Sequence, residues 1–222
     1  MFQRELLSVY FVAGTQDCLH LSTGTPEQKL LSTLETALQA GITCYQFREK
    51  GELALQDKQA QWQLARDCQA LCRQYGVPFV LNNDVEMAVK LGADGVHIGQ
   101  KDMAALEAIK LIQGKLFLGI SNSTLYELQN SLKLPDIDYW AVGAIFNTAS
   151  KPDAIQNVGI DLIRQAKQLD PNKPLVAIGG ISVDNVANIW AAGADGVAVI
   201  SAITRSDNVM QTVQNLYPPL RT

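Results

Sequence analysis

Gln46, Arg48 and Lys50 stand at alternate positions of the run QFREK, an amide and two cations that could share one job. Alternation along a strand turns these three to one side and Phe47 and Glu49 to the other. A planar guanidinium and a mobile ammonium beside an amide donor make an oxyanion-binding set. The competing use of such a run is a solvated charge cluster. Asn82-Asn83-Asp84 and Gln100-Lys101-Asp102 supply hard oxygen ligands of the kind Mg²⁺ takes together with substrate phosphate and water. Helix capping uses the same residue types, and Asn83, Asp84 and Asp102 all precede helical patterns. Set against a cationic third group, the two clusters read as a metal–diphosphate site. Gly179-Gly180 and Ile200-Ser201 are suited to hold a phosphate on backbone N–H groups. Thr148, Ser150 and Lys151 open a polar stretch, Asn147–Val158, of a length common in binding loops and lids. Two anion sites, one with a metal, imply two phosphorylated substrates.

The elements that must position these groups follow from a repeated phrase. GADGVHIGQ begins at Gly92 and GADGVAVIS at Gly193. In each, a glycine suited to ending a helix and an aspartate suited to a turn precede a short apolar strand. Strand-like runs are predicted at Ser8–Ala13, Ile42–Phe47, Pro78–Asn82, Gly95–Gly99, Leu116–Ile120, Tyr139–Ile145, Leu175–Gly179 and Gly196–Ser201. Segments of 3.6-residue apolar period separate them, such as Leu30, Leu31, Leu34, Ala37 and Leu38. Eight alternations in a chain of this length point to a single (β/α)8 TIM-barrel domain spanning residues 1–222. An open doubly wound sheet is the weaker alternative, because no GxGxxG follows the first strand. In a barrel, the strand C-termini carry the chemistry, and every group named above lies at one. A second long stretch, Gly14–Gly24, follows the first strand and has the same lid-like length. His97, flanked by Val96 and Ile98 within the fourth run, reads as a packed residue.

Composition narrows the class. The 222 residues are 47% hydrophobic and 18% charged, as in an ordinary globular enzyme. A formal charge of −4 with no basic stripe gives no footing for nucleic acid. The apolar runs are strand-length, far below a membrane span, and the N-terminal MFQRELLSVYF lacks a leader pattern, so a cytoplasmic protein is expected. Cys18, Cys44, Cys68 and Cys72 lack a completing metal set and are expected to be free, packed thiols. A homo-oligomer is compatible with the sequence.

Together the motifs QFREK at Gln46, PFVLNND at Pro78, GADGVHIGQKD at Gly92, GIS at Gly119, VGAIFNTASK at Val142, IGGIS at Ile178 and GADGVAVISAI at Gly193 resemble the thiamine phosphate synthase family, over nearly the whole chain. The resemblance implies condensation of a hydroxymethylpyrimidine diphosphate with a thiazole monophosphate, giving thiamine phosphate and pyrophosphate with Mg²⁺ as cofactor. It implies that Gln46, Phe47, Arg48, Glu49, Lys50, Asn82, Ser121 and Lys151 hold the pyrimidine diphosphate. Thr148, Ala149 and Ser150, with Gly180, Ile200 and Ser201, would hold the thiazole phosphate, and Asn83 and Asp102 the metal. Arg48, Lys50, Lys151 and Ser121 are the implied catalytic groups. The chain departs from the family pattern at Asn83, where an aspartate is usual, and at Asn147, where a proline is usual. A thiazole tautomerase of the same superfamily and a non-catalytic thiazole-phosphate-binding regulator are the alternative functions.

Overall fold

The computed structural model describes residues 2–151 and 155–218. Strand β1 (Val9–Ala13) leads to α1 (Pro26–Gln39), β2 (Cys44–Phe47) to α2 (Lys58–Gln74), β3 (Phe79–Asn82) to α3 (Val85–Leu91) and β4 (Gly95–Ile98) to α4 (Ala105–Ile112). Then β5 (Phe117–Asn122) leads to α5 (Leu125–Ser131), β6 (Tyr139–Val142) to α6 (Asp161–Leu169) and β7 (Leu175–Ile178) to α7 (Val186–Ala191). Finally β8 (Gly196–Val199) leads to the short α8 (Ser201–Thr204) and to α9 (Val209–Leu216). All neighbouring strands pair in parallel, and β8 closes on β1 to complete the barrel. The open sheet is thereby excluded.

Local chemistry starts α1 and α3 and stops α3. The Thr25 hydroxyl accepts the Gln28 N–H at the start of α1, and the Gln28 side chain accepts from Thr25 in return. Asp84 caps α3 by accepting the Met87 N–H at 2.8 Å. That helix ends on Gly92 at φ 63°, a left-handed position that costs a glycine nothing.

The repeated aspartate has a structural task. Asp94, just before β4, accepts the backbone N–H of Phe79 at the start of β3, and Asp195, just before β8, accepts that of Leu175 at the start of β7. Asp138 before β6 does the same for Leu118 in β5, and Thr43 before β2 does it for Val9 in β1. Each even-numbered strand thus pins the N-terminal end of its odd-numbered predecessor. These bonds satisfy buried donors at the bottom of the barrel and hold the register.

Strand alternation divides the buried side chains into two shells. Phe11, Phe47, Phe79, Val96, Ile98, Trp140 and Val142 pack outward against the helices. Tyr10, Val12, Cys44, Val80, Tyr139, Ala141, Val176 and Ala198 fill the interior. Gly119 on β5 makes room there, since a Cβ at that position would lie 2.0 Å from the Tyr139 ring. All four cysteines are buried and free, and burial raises the thiol pKa of each. Among the described residues no helix is long and apolar enough to cross a membrane.

Candidate active site

A cavity opens at the C-terminal ends of the strands, above the interior tyrosines. Its wall takes Gln46, Arg48 and Lys50 from the end of β2, Asn82 from β3, Asp102 from beyond β4 and Ser121 from β5. From beyond β6 come Thr148, Ser150 and Lys151, and from beyond β7 and β8 come Gly180, Ile200 and Ser201. Residues as far apart in sequence as Tyr10 and Ser201 are brought to one concavity because every strand end points the same way.

The QFREK run behaves as alternation requires. Gln46 reaches inward and Arg48 is buried in the cavity wall, while Lys50 is exposed at its rim. Phe47 and Glu49, which the family resemblance grouped with the substrate ligands, turn away. Phe47 packs in the outer shell. Glu49 accepts the Thr15 N–H at 2.9 Å and the Leu55 N–H at 2.7 Å, and also bonds the Thr15 hydroxyl. Its carboxylate therefore ties down two loops. This anchoring also explains why the 14–24 stretch does not line the cavity. Gln16 donates to the Arg48 carbonyl at 2.8 Å, and Cys18 is buried in the outer shell. A lid-like length here serves to brace the Arg48 backbone.

Asn83 and Asp102 do come together. The Asn83 amide donates to Asp102 Oδ1 at 2.8 Å, and the Gly99 N–H donates to Asp102 Oδ2 at 2.7 Å. Asp84 is not a substitute ligand, because its carboxylate is exposed and engaged in capping α3. Among the described residues no group of three or more His, Cys, Asp or Glu side chains is assembled to hold a metal. Asp102 lines the cavity and Asn83 stands behind it, a carboxylate and an amide that could serve a hard cation drawing its remaining oxygens from substrate and water.

Of the 147–158 stretch, Thr148, Ser150, Lys151 and Ile155 line the cavity, and residues 152–154 lie outside the described residues. Gln156 braces it from both sides. Its Oε1 accepts the Thr148 N–H at 2.9 Å and its Nε2 donates to the Lys151 carbonyl at 3.1 Å. Ala149 and Asn147 are exposed, and neither is among the residues that line the cavity. Beside this stretch, Gly180 is left-handed at φ 65°, and a Cβ there would meet the Asn147 carbonyl at 2.5 Å.

Sequence reasoning treated His97 as a packed residue and passed over Tyr10 and Tyr139. All three are buried, and His97 and Tyr10 form the cavity floor. His97 Nδ1 lies 3.0 Å from the Tyr139 hydroxyl and Nε2 lies 2.9 Å from Ser121 Oγ. Burial, and then the nearby Lys151 charge, hold the imidazole pKa down at about 3, so the ring is neutral in ordinary buffers. The available signal was parity: Tyr10 and Val12, like His97 and Gly95, share the inward face of their strands.

Comparison with known proteins agrees with this geometry. A family model described as thiamine monophosphate synthase matches residues 9–203. A thiamine-phosphate synthase of Actinobacillus succinogenes is 50% identical over 214 residues, covering 96% of each chain. One from Helicobacter pylori is 46% identical over 216 residues, covering 97% of this chain and 98% of the other. Among solved structures, a thiamine phosphate pyrophosphorylase from Pyrococcus furiosus superposes with a TM-score of 0.79 at 27% identity, covering 96% of this chain and 95% of that one. With a cationic cavity at the strand ends and a family match along almost its entire length, the chain belongs to the thiamine monophosphate synthase family.

Proposed function

We propose that this barrel, as one domain, joins 4-amino-2-methyl-5-(diphosphooxymethyl)pyrimidine to 4-methyl-5-(2-phosphooxyethyl)thiazole, releasing thiamine phosphate and pyrophosphate. The observation that carries this reading is the convergence of Arg48, Lys50 and Lys151 on one cavity that also holds Gly180, Ile200 and Ser201. The first set suits a departing diphosphate and the second a resting monophosphate. Heterolysis of the methylene C–O bond sends its electron pair to the pyrophosphate and leaves a pyrimidine-methyl cation. The thiazole nitrogen lone pair then closes the new C–N bond, and no proton need move.

Negative charge grows on the leaving oxygens as the C–O bond lengthens. Groups already in place stabilise that charge without reorganising, and this is where such a site gains most of its rate. Arg48, fixed in the wall, offers a planar fork. Lys50 and Lys151 bring point charges from the rim and from the loop above. Ser121 offers a hydroxyl at the floor. Asp102 and Asn83 would hold Mg²⁺, which neutralises the diphosphate and improves it as a leaving group. The backbone of Gly180, Ile200 and Ser201, with Thr148 and Ser150 opposite, would hold the thiazole phosphate so that the ring nitrogen faces the methylene carbon. The apolar interior around Val12, Ala141 and Val176 keeps the base of the site dry and protects the cation from water.

The tautomerase alternative requires no diphosphate ligands, and the three cations together favour the transferase. In cells the enzyme would act in the cytoplasm on these two phosphorylated small molecules. The decisive experiment measures pyrophosphate release. Release that requires both substrates and Mg²⁺ supports the reading. Release from the pyrimidine diphosphate alone, or turnover of the thiazole phosphate alone, overturns it.

A further inference from the structure

We propose that Tyr139 and Tyr10 are positioning residues: by fixing which nitrogen of His97 carries the proton, they hold the Ser121 hydroxyl as a hydrogen-bond donor toward the ligand. Five side chains from five strands form one chain of hydrogen bonds across the barrel interior. Gln46 Nε2 lies 2.9 Å from the Tyr10 hydroxyl, which lies 3.1 Å from the Tyr139 hydroxyl. Tyr139 reaches His97 Nδ1 at 3.0 Å, and His97 Nε2 reaches Ser121 Oγ at 2.9 Å. Gln46, Tyr10, Tyr139 and His97 are all buried.

Each hydroxyl has one proton to give and a neutral imidazole has one, so every link is served when all of them point the same way. With the Gln46 amide donating to Tyr10, the Tyr10 proton is available to Tyr139 and the Tyr139 proton to His97 Nδ1. The His97 proton is then on Nε2 and is given to Ser121 Oγ. Ser121 must direct its own proton elsewhere, and it lines the cavity. Were the amide reversed, every link would reverse, and Ser121 would meet the ligand only as an acceptor. Phosphate oxygens are acceptors only, and Arg48, Lys50 and Lys151 collect acceptors in this same cavity. Donation from Ser121 is the direction that matches. Gly119 permits the arrangement, since any side chain there would displace Tyr139 from His97.

The ligand acceptor is a lone pair on either a diphosphate oxygen or a pyrimidine ring nitrogen. That identity rests on the function proposed above, whereas the His97 tautomer does not. The chain has two histidines, and His20 is exposed. In a His20→Gln variant, ¹⁵N NMR of the substrate-free protein therefore reports His97 alone. Protonation at Nε2 is expected, and protonation at Nδ1 overturns the proposal whatever the reaction.

Activity supplies the second readout. Tyr139→Phe keeps the ring and removes the donor, so kcat should fall roughly tenfold, the worth of one hydrogen bond. The KM for thiazole phosphate should stay unchanged, and the His97 spectrum should lose its pure Nε2-protonated form. In a Ser121→Ala background the same substitution should cost kcat little, because Tyr139 acts through Ser121. A full cost in both backgrounds, or an unaltered tautomer in Tyr139→Phe, overturns the positioning role. If Tyr139→Phe does not fold, Tyr10→Phe, one link further along, is read in the same two ways. Titrating Ser121→Ala with inorganic pyrophosphate and with 4-amino-5-hydroxymethyl-2-methylpyrimidine separates the two acceptors. Weakening of either supports a donor at Ser121, and weakening of neither overturns it.

Discussion

Asn83 and Asp102 face each other across the ends of β3 and β4, the amide N–H of one held 2.8 Å from a carboxylate oxygen of the other. The amide thus supplies a donor to a carboxylate that a cation would otherwise balance. Asn83→Asp places two carboxylates at this separation, and like charges so close favour either a proton or a metal between them. The Mg²⁺ concentration for half-maximal turnover should therefore fall in Asn83→Asp. It should rise sharply in Asp102→Asn, because Asp84 stays committed to its helix cap. In chelator, Asn83→Asp should melt lower, by about 2 kcal/mol for a lost charge-assisted hydrogen bond. Midpoints that move in neither variant would leave both residues with a loop-bracing role alone.

Lys151 lies on the cavity wall, in a loop braced by Gln156. Its charge should count most as the leaving oxygens become negative. Lys151→Ala should lower kcat by roughly a hundredfold or more, about 2 to 4 kcal/mol of barrier, with a smaller effect on ground-state binding. Unchanged kcat in a steady-state assay would remove Lys151 from the leaving-group set.

At Gly180 the tertiary contacts change what a substitution should do. At a phosphate-binding turn, Gly180→Val is expected to weaken thiazole phosphate binding and spare the pyrimidine diphosphate. In the structure a Cβ at Gly180 would lie 2.5 Å from the Asn147 carbonyl and 2.7 Å from Phe146 Cβ. The substitution must displace the loop that also carries Lys151, besides forcing a β-branched residue into a left-handed position. Both ligands should bind more weakly in calorimetric titrations. Selective loss of the thiazole phosphate would mean that the loop is not braced on Gly180.

The buried His97 makes stability depend on acid. Its pKa falls from 6.5 to about 3 on folding, chiefly through burial. Between those values the unfolded chain holds a proton that the folded chain does not. Stability contributed here is complete above the unfolded pKa and is lost as pH falls toward 3, by about 1.4 kcal/mol per pH unit. Chemical denaturation in chelator should show this slope between about pH 6 and pH 4, and His97→Gln should flatten it. An equal slope in the variant would place the titrating group elsewhere.

How much of this was legible follows the range of the interactions involved. The βα period, the helix stops and the rule that strand ends carry the chemistry are written locally, in caps, turns and alternation. From these alone the sequence placed Gln46, Arg48, Lys50, Asp102 and Gly180 at one end of a barrel. The repeated aspartate was visible as a turn residue, but its bond to the start of the preceding strand was not, since that partner lies 15 to 20 residues away. Which shell a residue faces was decided only by closure of the barrel. Both faces of a parallel strand are buried, so apolar content does not tell inside from outside. Phe47 and Glu49 went to the outer side for this reason, although alternation already separated them from Arg48. The floor is the clearest case. Tyr10 and Tyr139 are 129 residues apart, and His97 and Tyr139 are 42 apart. No local pattern joins them, and they meet because the strands of a small closed barrel aim their inward side chains at a common axis.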